Sequence, residues 1–325
     1  MNLPRRRFLH LTAGAAALPA LSRIAWAQTY PTRPVRLIVG FAAAGGTDIT
    51  ARLIGQRLSE RLGQPFIIEN RPGAGSSVAA ETVVNALPDG YTLLMAGTAN
   101  AVNATLYDKL SFNFSRDLVP VAGVMRVPYV IQVHPSVPVK TGPELIAYAK
   151  ANPGKINMGS AGVGSGTHMT GELFKMMTGI NMVHVPYRGE GPALTDLLGG
   201  QVQVVFATMS SSIEYIRAGR LRALAVTTVT RAEAMPNIPT AADFVPGFEA
   251  SGWWGVVAPR NTPAEIVEKL NKEINASLAD PRLKARIADL GGTVFVTSPG
   301  DFGKHITGEI EKWAKVVKFS GARPE

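Results

Sequence analysis

The 325-residue sequence contains no cysteine, which excludes disulfide bonds and thiolate metal sites. Its five histidines include no pair spaced four residues apart and no accompanying acidic cluster, so we expect neither a metal site nor a cofactor. After residue 27, no uninterrupted apolar stretch approaches the roughly 18 residues of a membrane-spanning helix. No basic run with interleaved aromatic residues occurs, so nucleic-acid binding is not expected. We expect the mature chain to be soluble.

The sequence also lacks a complete nucleotide-binding motif. The loop Gly162–Gly166 is rich in glycine, but it does not have the third glycine of G-x-G-x-x-G, and no acidic residue follows about 20 positions later. No G-K-[ST] triplet marks a phosphate-binding loop. The glycines therefore indicate a tight loop after a strand rather than a dinucleotide site.

A serine hydrolase is the main enzymatic alternative. Neither Ser160 nor Ser165 has the glycine two positions before it that the G-x-S-x-G nucleophile elbow requires. Asp48 and His168 could supply the other members of a triad, but we expect them in different halves of the molecule. A triad needs fixed hydrogen-bond distances, so a secreted hydrolase or lyase stays the less favoured reading.

The first 27 residues have the pattern of an export signal. Arginines 5–7 precede an apolar, alanine-rich run over residues 8–21, and Ala25-Trp26-Ala27 fits a signal-peptidase site. The arginines resemble a twin-arginine signal, although Pro4 leaves general secretion open. The net charge of +9 includes four arginines and no acids from this segment, leaving +5 for the rest. We expect the protein in the periplasm.

Residues 35–52 are the most informative stretch of the chain. An apolar, β-branched run is followed by small residues ending in Gly45-Gly46, and Thr47 and Asp48 precede a helical pattern. The start of a helix exposes unpaired N–H groups and partial positive charge, and glycine lets a ligand approach them. The expected chemistry is capture of an anion, most simply a carboxylate.

Strands and helices alternate along most of the chain, which predicts mainly parallel sheets flanked by helices. We expect two α/β domains with a cleft between them. Domain 1 is predicted at 28–125 plus 237–325 and domain 2 at 126–236. Loops that follow strands in such sheets form binding sites, and here both halves contribute them, at 42–48, 97–100, 160–168, 187–191 and 207–210.

Taken in order, the motifs of the chain are similar to those of Bug-type solute receptors, the periplasmic component of tripartite tricarboxylate transporters. The resemblance covers nearly all of the mature chain. Each motif is weak alone, but their order is specific. They are Gly45-Gly46-Thr47-Asp48, Glu69-Asn70-Arg71-Pro72-Gly73, Pro88-Asp89-Gly90-Tyr91, Gly159-Ser160-Ala161-Gly162 with His168, Val185-Pro186-Tyr187-Arg188-Gly189, Asp196-Leu197-Leu198-Gly199-Gly200, Ala218-Gly219-Arg220-Leu221 and Trp254-Gly255.

The resemblance implies a two-domain Venus-flytrap fold that holds a carboxylate through loop N–H groups, hydroxyls and waters. It implies ligand contacts at Phe41, Gly46, Thr47, Asp48, Thr98, Asn100, Ser160, Gly164, Ser165, His168, Tyr187, Gly189 and Thr208. It also implies a monomeric, non-enzymatic receptor that delivers a small organic carboxylate to an inner-membrane permease. A receptor feeding a signalling system is a further alternative.

Our binding hypothesis places one ligand carboxylate at the Gly46-Thr47 turn and the other end at the loop from Ser160 to Ser165. An amino-acid ligand needs an acid for its ammonium group, and Asp48 and Glu190 are the only acids in these loops. The scarcity of acids favours a plain carboxylate, aliphatic or aromatic. Beside such a ligand the charge of Asp48 is repulsive, so the glycines and Thr47 are the better candidates for direct contact.

Overall fold

A computed structural model describes residues 30–107 and 109–324. The predicted signal peptide, residues 1–27, lies outside the described residues. The described strands are β1 Val35–Val39, β2 Phe66–Asn70, β3 Thr92–Gly97, β4 Leu118–Val133, β5 Asn157–Ser160, β6 Val183–Pro186, β7 Val204–Thr208, β8 Arg222–Val226, β9 Ser251–Pro259 and β10 Thr293–Val294.

The described helices are α1 Gly46–Leu62, α2 Ser77–Val84, α3 Thr98–Leu106, α4 Phe114–Asp117, α5 Gly142–Ala151, α6 Gly166–Thr178, α7 Glu190–Leu198, α8 Met209–Arg217, α9 Ala264–Ala279, α10 Pro281–Asp289 and α11 Pro299–Ser320. Within the described residues, no helix combines the length and apolar character needed to cross a bilayer.

The strands form two parallel groups joined through an antiparallel centre. Their order is β2-β1-β3-β9-β4-β7-β5-β6, and β8 and β10 also pair with β4. The pairs of β1 with β2 and β3 are parallel, as are those of β5 with β6 and β7. Strands β4 and β9 run antiparallel to their neighbours. The sheet is therefore mixed at its centre, although the outer strands are parallel as expected.

Strand β4 connects the two groups and is much longer than its sequence pattern indicates. The apolar pattern typical of a strand covers only Tyr129–Val133, whereas the strand begins at Leu118 and has 16 residues. The first part of β4 gives no clear strand signal in the sequence. It contains Pro120 and Gly123, and proline and glycine normally mark strand ends. The structure accommodates both through register shifts opposite β9.

Strand β4 changes its pairing partner partway along its length. Its first part pairs with β9 as far as Pro128, and from Tyr129 onward it pairs with β7. This change lies close to the predicted boundary after residue 125. The division into two domains at these residues stays a prediction.

Helices cover both faces of each strand group and bury its apolar residues. Ile54 of α1 and Leu270 of α9 pack on one face of the first group, and Trp313 of α11 packs on the other. Phe174 of α6 and Phe206 of β7 belong to the core of the second group. This packing holds the loops at the strand ends in fixed positions, which is what places the site described next.

Candidate functional site

A small cavity lies where four helices begin, between the two strand groups. Each helix follows a strand directly or through a short loop: α1 follows β1, α3 follows β3, α6 follows β5 and α8 follows β7. The cavity has a volume of about 40 Å³, room for about three water molecules. It is lined by Phe41, Gly45, Gly46, Thr47, Met95, Gly97, Thr98, Ala99, Asn100, Tyr129, Ala161, Ser165, Gly166, Thr167, Glu190, Thr208 and Trp254.

None of the described residues that line the cavity is a lysine, arginine or histidine. Partial positive charge comes from helix starts, where the first N–H groups have no partner inside the helix. The lining also contains hydroxyl groups, the Asn100 amide, apolar side chains such as Phe41, and one carboxylate, that of Glu190. The helix starts are therefore the groups of this lining that can attract an anion.

One end of the cavity, which we call the glutamate pole, consists of Gly46, Glu190, Thr208 and Ser211. The Glu190 side chain is buried, with the residue only 6% exposed. Its Oε2 accepts from Gly46 N at 3.0 Å, Thr208 Oγ1 at 2.7 Å and Ser211 Oγ at 2.9 Å, while Oε1 accepts from Thr208 N at 3.2 Å. A protein carboxylate therefore occupies the starts of α1 and α8.

The other end, which we call the open pole, is formed by Thr98 and Ala99 at the start of α3 and Gly166 and Thr167 at the start of α6. In the described part of the chain no side-chain carboxylate bonds to their amides. The helix starts themselves are fixed by side chains: Asn100 Oδ1 accepts from Gly97 N, and Thr167 Oγ1 accepts from Ala161 N.

Two buried hydroxyls add to the open pole. Thr98 Oγ1 forms no hydrogen bond of standard geometry, although the Tyr129 hydroxyl interacts with it. Burial raises the pKa of Tyr129 well above its usual value, so the phenol stays protonated and able to donate. The open pole thus combines helix amides and hydroxyls that a ligand oxygen can use.

Comparison with known proteins places the chain in a family. A family model described as the tripartite tricarboxylate transporter family receptor, TctC, matches residues 50–321. The chain belongs to this receptor family. The resemblance inferred from the sequence motifs is therefore confirmed.

Relatives agree with this assignment along nearly the whole chain. The protein BugT of Bordetella pertussis is 38% identical over 315 residues, covering 96% of this chain and 95% of BugT. An R. palustris protein solved with adipate is 38% identical, with a TM-score of 0.88 over 91% of this chain and 100% of that one. The protein MatC of Rhodopseudomonas palustris, solved with malate, is 32% identical, with a TM-score of 0.84 over 89% and 100% of the two chains. The predicted α/β periplasmic-binding-protein fold is confirmed.

The receptor structure brings seven of the thirteen predicted contact residues to the cavity. These are Phe41, Gly46, Thr47, Thr98, Asn100, Ser165 and Thr208. Six lie outside its lining: Asp48, Ser160, Gly164, His168, Tyr187 and Gly189. The binding hypothesis placed a ligand carboxylate at the Gly46-Thr47 turn. In the structure the Gly46 N–H donates to Glu190 instead.

Asp48 holds the loop that leads into α1. Its carboxylate accepts from Ala44 N at 3.0 Å, Arg52 Nε at 2.9 Å and Asn70 Nδ2 at 3.0 Å, and Asn70 also donates to Phe41 O. Burial favours the protonated acid, but the hydrogen bonds from Arg52, Ala44 and Asn70 outweigh it and hold the pKa of Asp48 below its usual value. Asp48 therefore shapes the lining through its neighbours.

A histidine pair supports the start of α6 from behind. The rings of His168 and His184 stack at 3.8 Å, and His184 Nε2 lies 2.6 Å from Ser160 Oγ. Burial, with the neighbouring His168, lowers the pKa of His184 to about 3. A base this weak cannot activate a serine near neutral pH, and Ser160 is fully buried outside the lining. The contact is structural.

Tyr187 and Gly189 belong to a loop that crosses between the strand groups. The Tyr187 hydroxyl donates to Asp196 at 2.6 Å, and burial together with Asp196 raises the pKa of Tyr187 to about 12. Arg188 O accepts from Ala42 N at 3.0 Å. Gly189 has φ +154°, and a Cβ there would lie 2.9 Å from Ala42 N. Glycine permits this close crossing, which brings Glu190 to α1.

Ten of the seventeen lining residues were not among the predicted contacts, and four of these ten have polar side chains: Glu190, Tyr129, Thr167 and Trp254. Trp254, which the sequence analysis named only within the motif Trp254-Gly255, donates from its Nε1 to Thr47 Oγ1 at 2.9 Å. The signal for Glu190 was visible, since it is one of only two acids in the predicted loops. No local pattern linked it to Gly46, 144 positions away.

Proposed function

We propose that this receptor binds a small organic carboxylate in the cavity between the two strand groups and delivers it to the membrane permease of a tripartite transporter. The observation that supports this most is the open pole, where two helix starts and buried hydroxyls converge and no carboxylate of the described residues bonds to them. Carboxylate oxygens satisfy such donors directly. Two receptors of similar sequence and structure were solved with adipate and with malate.

In this proposal the ligand carboxylate binds at the open pole, between Thr98 and Ala99 of α3 and Gly166 and Thr167 of α6. The two helices belong to different strand groups, so one ligand group contacts both lobes of the receptor. Contacts made only in the closed form stabilise that form. The permease then recognises the closed receptor, as a monomer in the periplasm.

Isothermal titration calorimetry tests the proposal directly. The mature chain is titrated with mono-, di- and tricarboxylates and amino acids, and with a neutral sugar and a divalent metal as comparison ligands. We expect at least one carboxylate to bind with a dissociation constant in the micromolar range. The proposal is wrong if no carboxylate binds at millimolar concentration while a sugar or a metal does.

The enzymatic alternative is separated by the variant Ser165→Ala. Ser165 lines the cavity, but its hydroxyl donates to Gly162 O at 2.7 Å and no histidine ring nitrogen bonds it in the described residues. In a receptor this variant weakens binding and no product forms with either protein. In a hydrolase, the wild type converts its ligand and the variant does not, which chromatography of the incubated ligand detects.

A further inference from the structure

The glutamate pole carries an unusual feature for a cavity that is to receive an anion. Glu190 lines the cavity and is 6% exposed. All four of its hydrogen bonds come from neutral donors, two backbone amides and two hydroxyls. No lysine, arginine or histidine among the described residues bonds to it or lines the cavity. Buried charges in proteins are normally paired, and here no described residue supplies a cationic partner.

The two oxygens of Glu190 differ in how fully they are used. Oε2 accepts three hydrogen bonds at 2.7–3.0 Å, which exceeds its two lone pairs. Oε1 accepts one hydrogen bond from the described residues, from Thr208 N at 3.2 Å. Oε1 therefore retains capacity for a further donor.

Glu190 and the residues of the open pole line the same cavity. A ligand whose carboxylate binds at the open pole and whose other end extends to the glutamate pole therefore meets Glu190. A second carboxylate there faces Glu190 with no cation between them, and like charges at short range in a site with little water repel strongly. A protonated amine at that end pairs with the charge and donates to Oε1.

We propose that Glu190 is a specificity-determining residue that selects ligands carrying a protonated amine as well as a carboxylate. This rests on the proposed function, since it assigns the ligand carboxylate to the open pole. The favoured class is then a small zwitterionic amino acid, with plain dicarboxylates disfavoured. This proposal replaces the expectation of a plain carboxylate ligand, which was based on the scarcity of acids in the loops. A single acid in the cavity lining is sufficient to pair with an ammonium group.

Matched ligand pairs test this proposal on the unmodified receptor. The amine-bearing members are β-alanine, 4-aminobutyrate and aspartate, and their amine-free counterparts are propionate, butyrate and succinate. Calorimetry on the wild type is expected to show at least one pair in which the amine member binds about tenfold tighter or more. The proposal is overturned if the amine-free member binds as tightly in every pair that binds.

The variant Glu190→Gln identifies the residue responsible. It keeps the side-chain shape and one oxygen acceptor but removes the charge. We expect the amine-bearing ligand to lose about tenfold in affinity while its amine-free counterpart is unchanged or binds more tightly. Glu214→Gln, the same change at an exposed position of α8, is the matched control and is expected to leave the preference intact.

The outcomes separate a selective role from a structural one. If Glu190→Gln weakens both members of a pair equally, Glu190 only holds the starts of α1 and α8 together and the proposal is wrong. If the variant does not fold, the wild-type pairs still decide the preference. If no carboxylate binds, with or without an amine, the proposed function fails and this inference fails with it; if only amine-free carboxylates bind, the function stands and the inference alone fails.

Discussion

The two poles of the cavity have the same local architecture but opposite occupancy. In each pole, helices that begin after strands meet across the two strand groups: α1 with α8 at the glutamate pole and α3 with α6 at the open pole. At the glutamate pole, the carboxylate of Glu190 accepts hydrogen bonds from the N–H groups of Gly46 and Thr208. At the second, no carboxylate of the described chain does so. The same anion-attracting geometry is used internally at one end and left for a ligand at the other.

This difference assigns different roles to the poles. Buried amides need a hydrogen-bond partner, so those of the open pole gain most from an incoming carboxylate, which makes this pole the source of affinity. The amides of the glutamate pole already have partners, so a ligand gains little from them. What the glutamate pole presents to the ligand is a negative charge, which acts on the ligand's chemistry and hence on selectivity.

The largest expected effect comes from adding a methyl group at either pole. In Gly46→Ala the new Cβ would lie 2.6 Å from Thr208 Oγ1 and 2.7 Å from the Trp254 ring, and in Gly166→Ala it would overlap the Tyr129 hydroxyl. Overpacking of this kind costs about 1–3 kcal/mol of folding stability. Because each methyl group also projects among residues that line the cavity, we expect each variant to weaken ligand binding by about tenfold in calorimetry.

The two variants differ in what else they change. Gly46→Ala displaces the amide that Glu190 accepts from, so we expect it to alter the preference between matched amine-bearing and amine-free ligands. Gly166→Ala alters only the open pole and should weaken both members of a pair alike. Gly308→Ala, in α11 with nothing near the added Cβ, is the control for the substitution itself. Equal changes in preference for both variants would show that the poles are not distinct.

The positions of the loops that follow strands were predictable from sequence, and so was the convergence of the helix starts that form the open pole. Apolar runs followed by small residues identify strand ends, and the helical spacing after them identifies helix starts. Those local signals predict that Gly46, Thr98 and Ser165 lie close together, because loops at the same end of a sheet converge whatever their separation along the chain. In the structure all three line the cavity, and their contact with a ligand stays a prediction.

The glutamate pole was not predictable in the same way. The Glu190 side chain accepts a hydrogen bond from Gly46, 144 positions away in the sequence, and no local sequence pattern predicts that contact. The first part of β4 was missed for a related reason. Pro120 and Gly123 indicate a loop locally, and only the pairing with β9 over a bulged register makes the segment a strand. In both cases a tertiary contact decides what the local sequence leaves open.

A smaller effect is expected from acid, and it acts through two histidines that lie outside the cavity lining. The pKa of His184 is lowered to about 3 by burial and His168, and that of His305 to about 4 by burial, Arg126 and Lys312. Between pH 6.5 and 5 the unfolded chain takes up protons at both histidines and the folded protein does not. The stabilisation is therefore complete above about pH 6.5 and is lost as the pH falls.

Urea unfolding at steps from pH 7 to pH 5 measures this loss. The full shift of one histidine corresponds to about 2 kcal/mol over this range, and because both rings are partly exposed we expect about 1 kcal/mol each. His184→Gln should remove about half of the pH dependence and His305→Gln the other half. Substitution of His134, at the end of β4, is the control. A wild-type protein whose unfolding free energy is constant from pH 7 to pH 5 would contradict the expectation.

The smallest effect is expected at Tyr187, on the support of the glutamate pole. Its hydroxyl donates to Asp196 within α7, the helix whose first residue is Glu190. Tyr187→Phe keeps the ring and removes one partly exposed hydrogen bond, so it should cost about 0.5–1 kcal/mol of stability. We expect the affinity for the carboxylate ligand to change less than about twofold, because the hydroxyl lies outside the cavity lining.

Comparison with Asp196→Ala distinguishes the two roles that sequence and structure suggest for Tyr187. The family resemblance implies a direct ligand contact, whereas the structure directs the hydroxyl to Asp196. If the hydroxyl only supports α7, both variants lower the unfolding temperature slightly and leave calorimetric affinity nearly unchanged. If Tyr187→Phe lowers affinity tenfold while Asp196→Ala does not, the tyrosine turns toward the ligand on binding, and residues outside the open pole then contribute affinity as well.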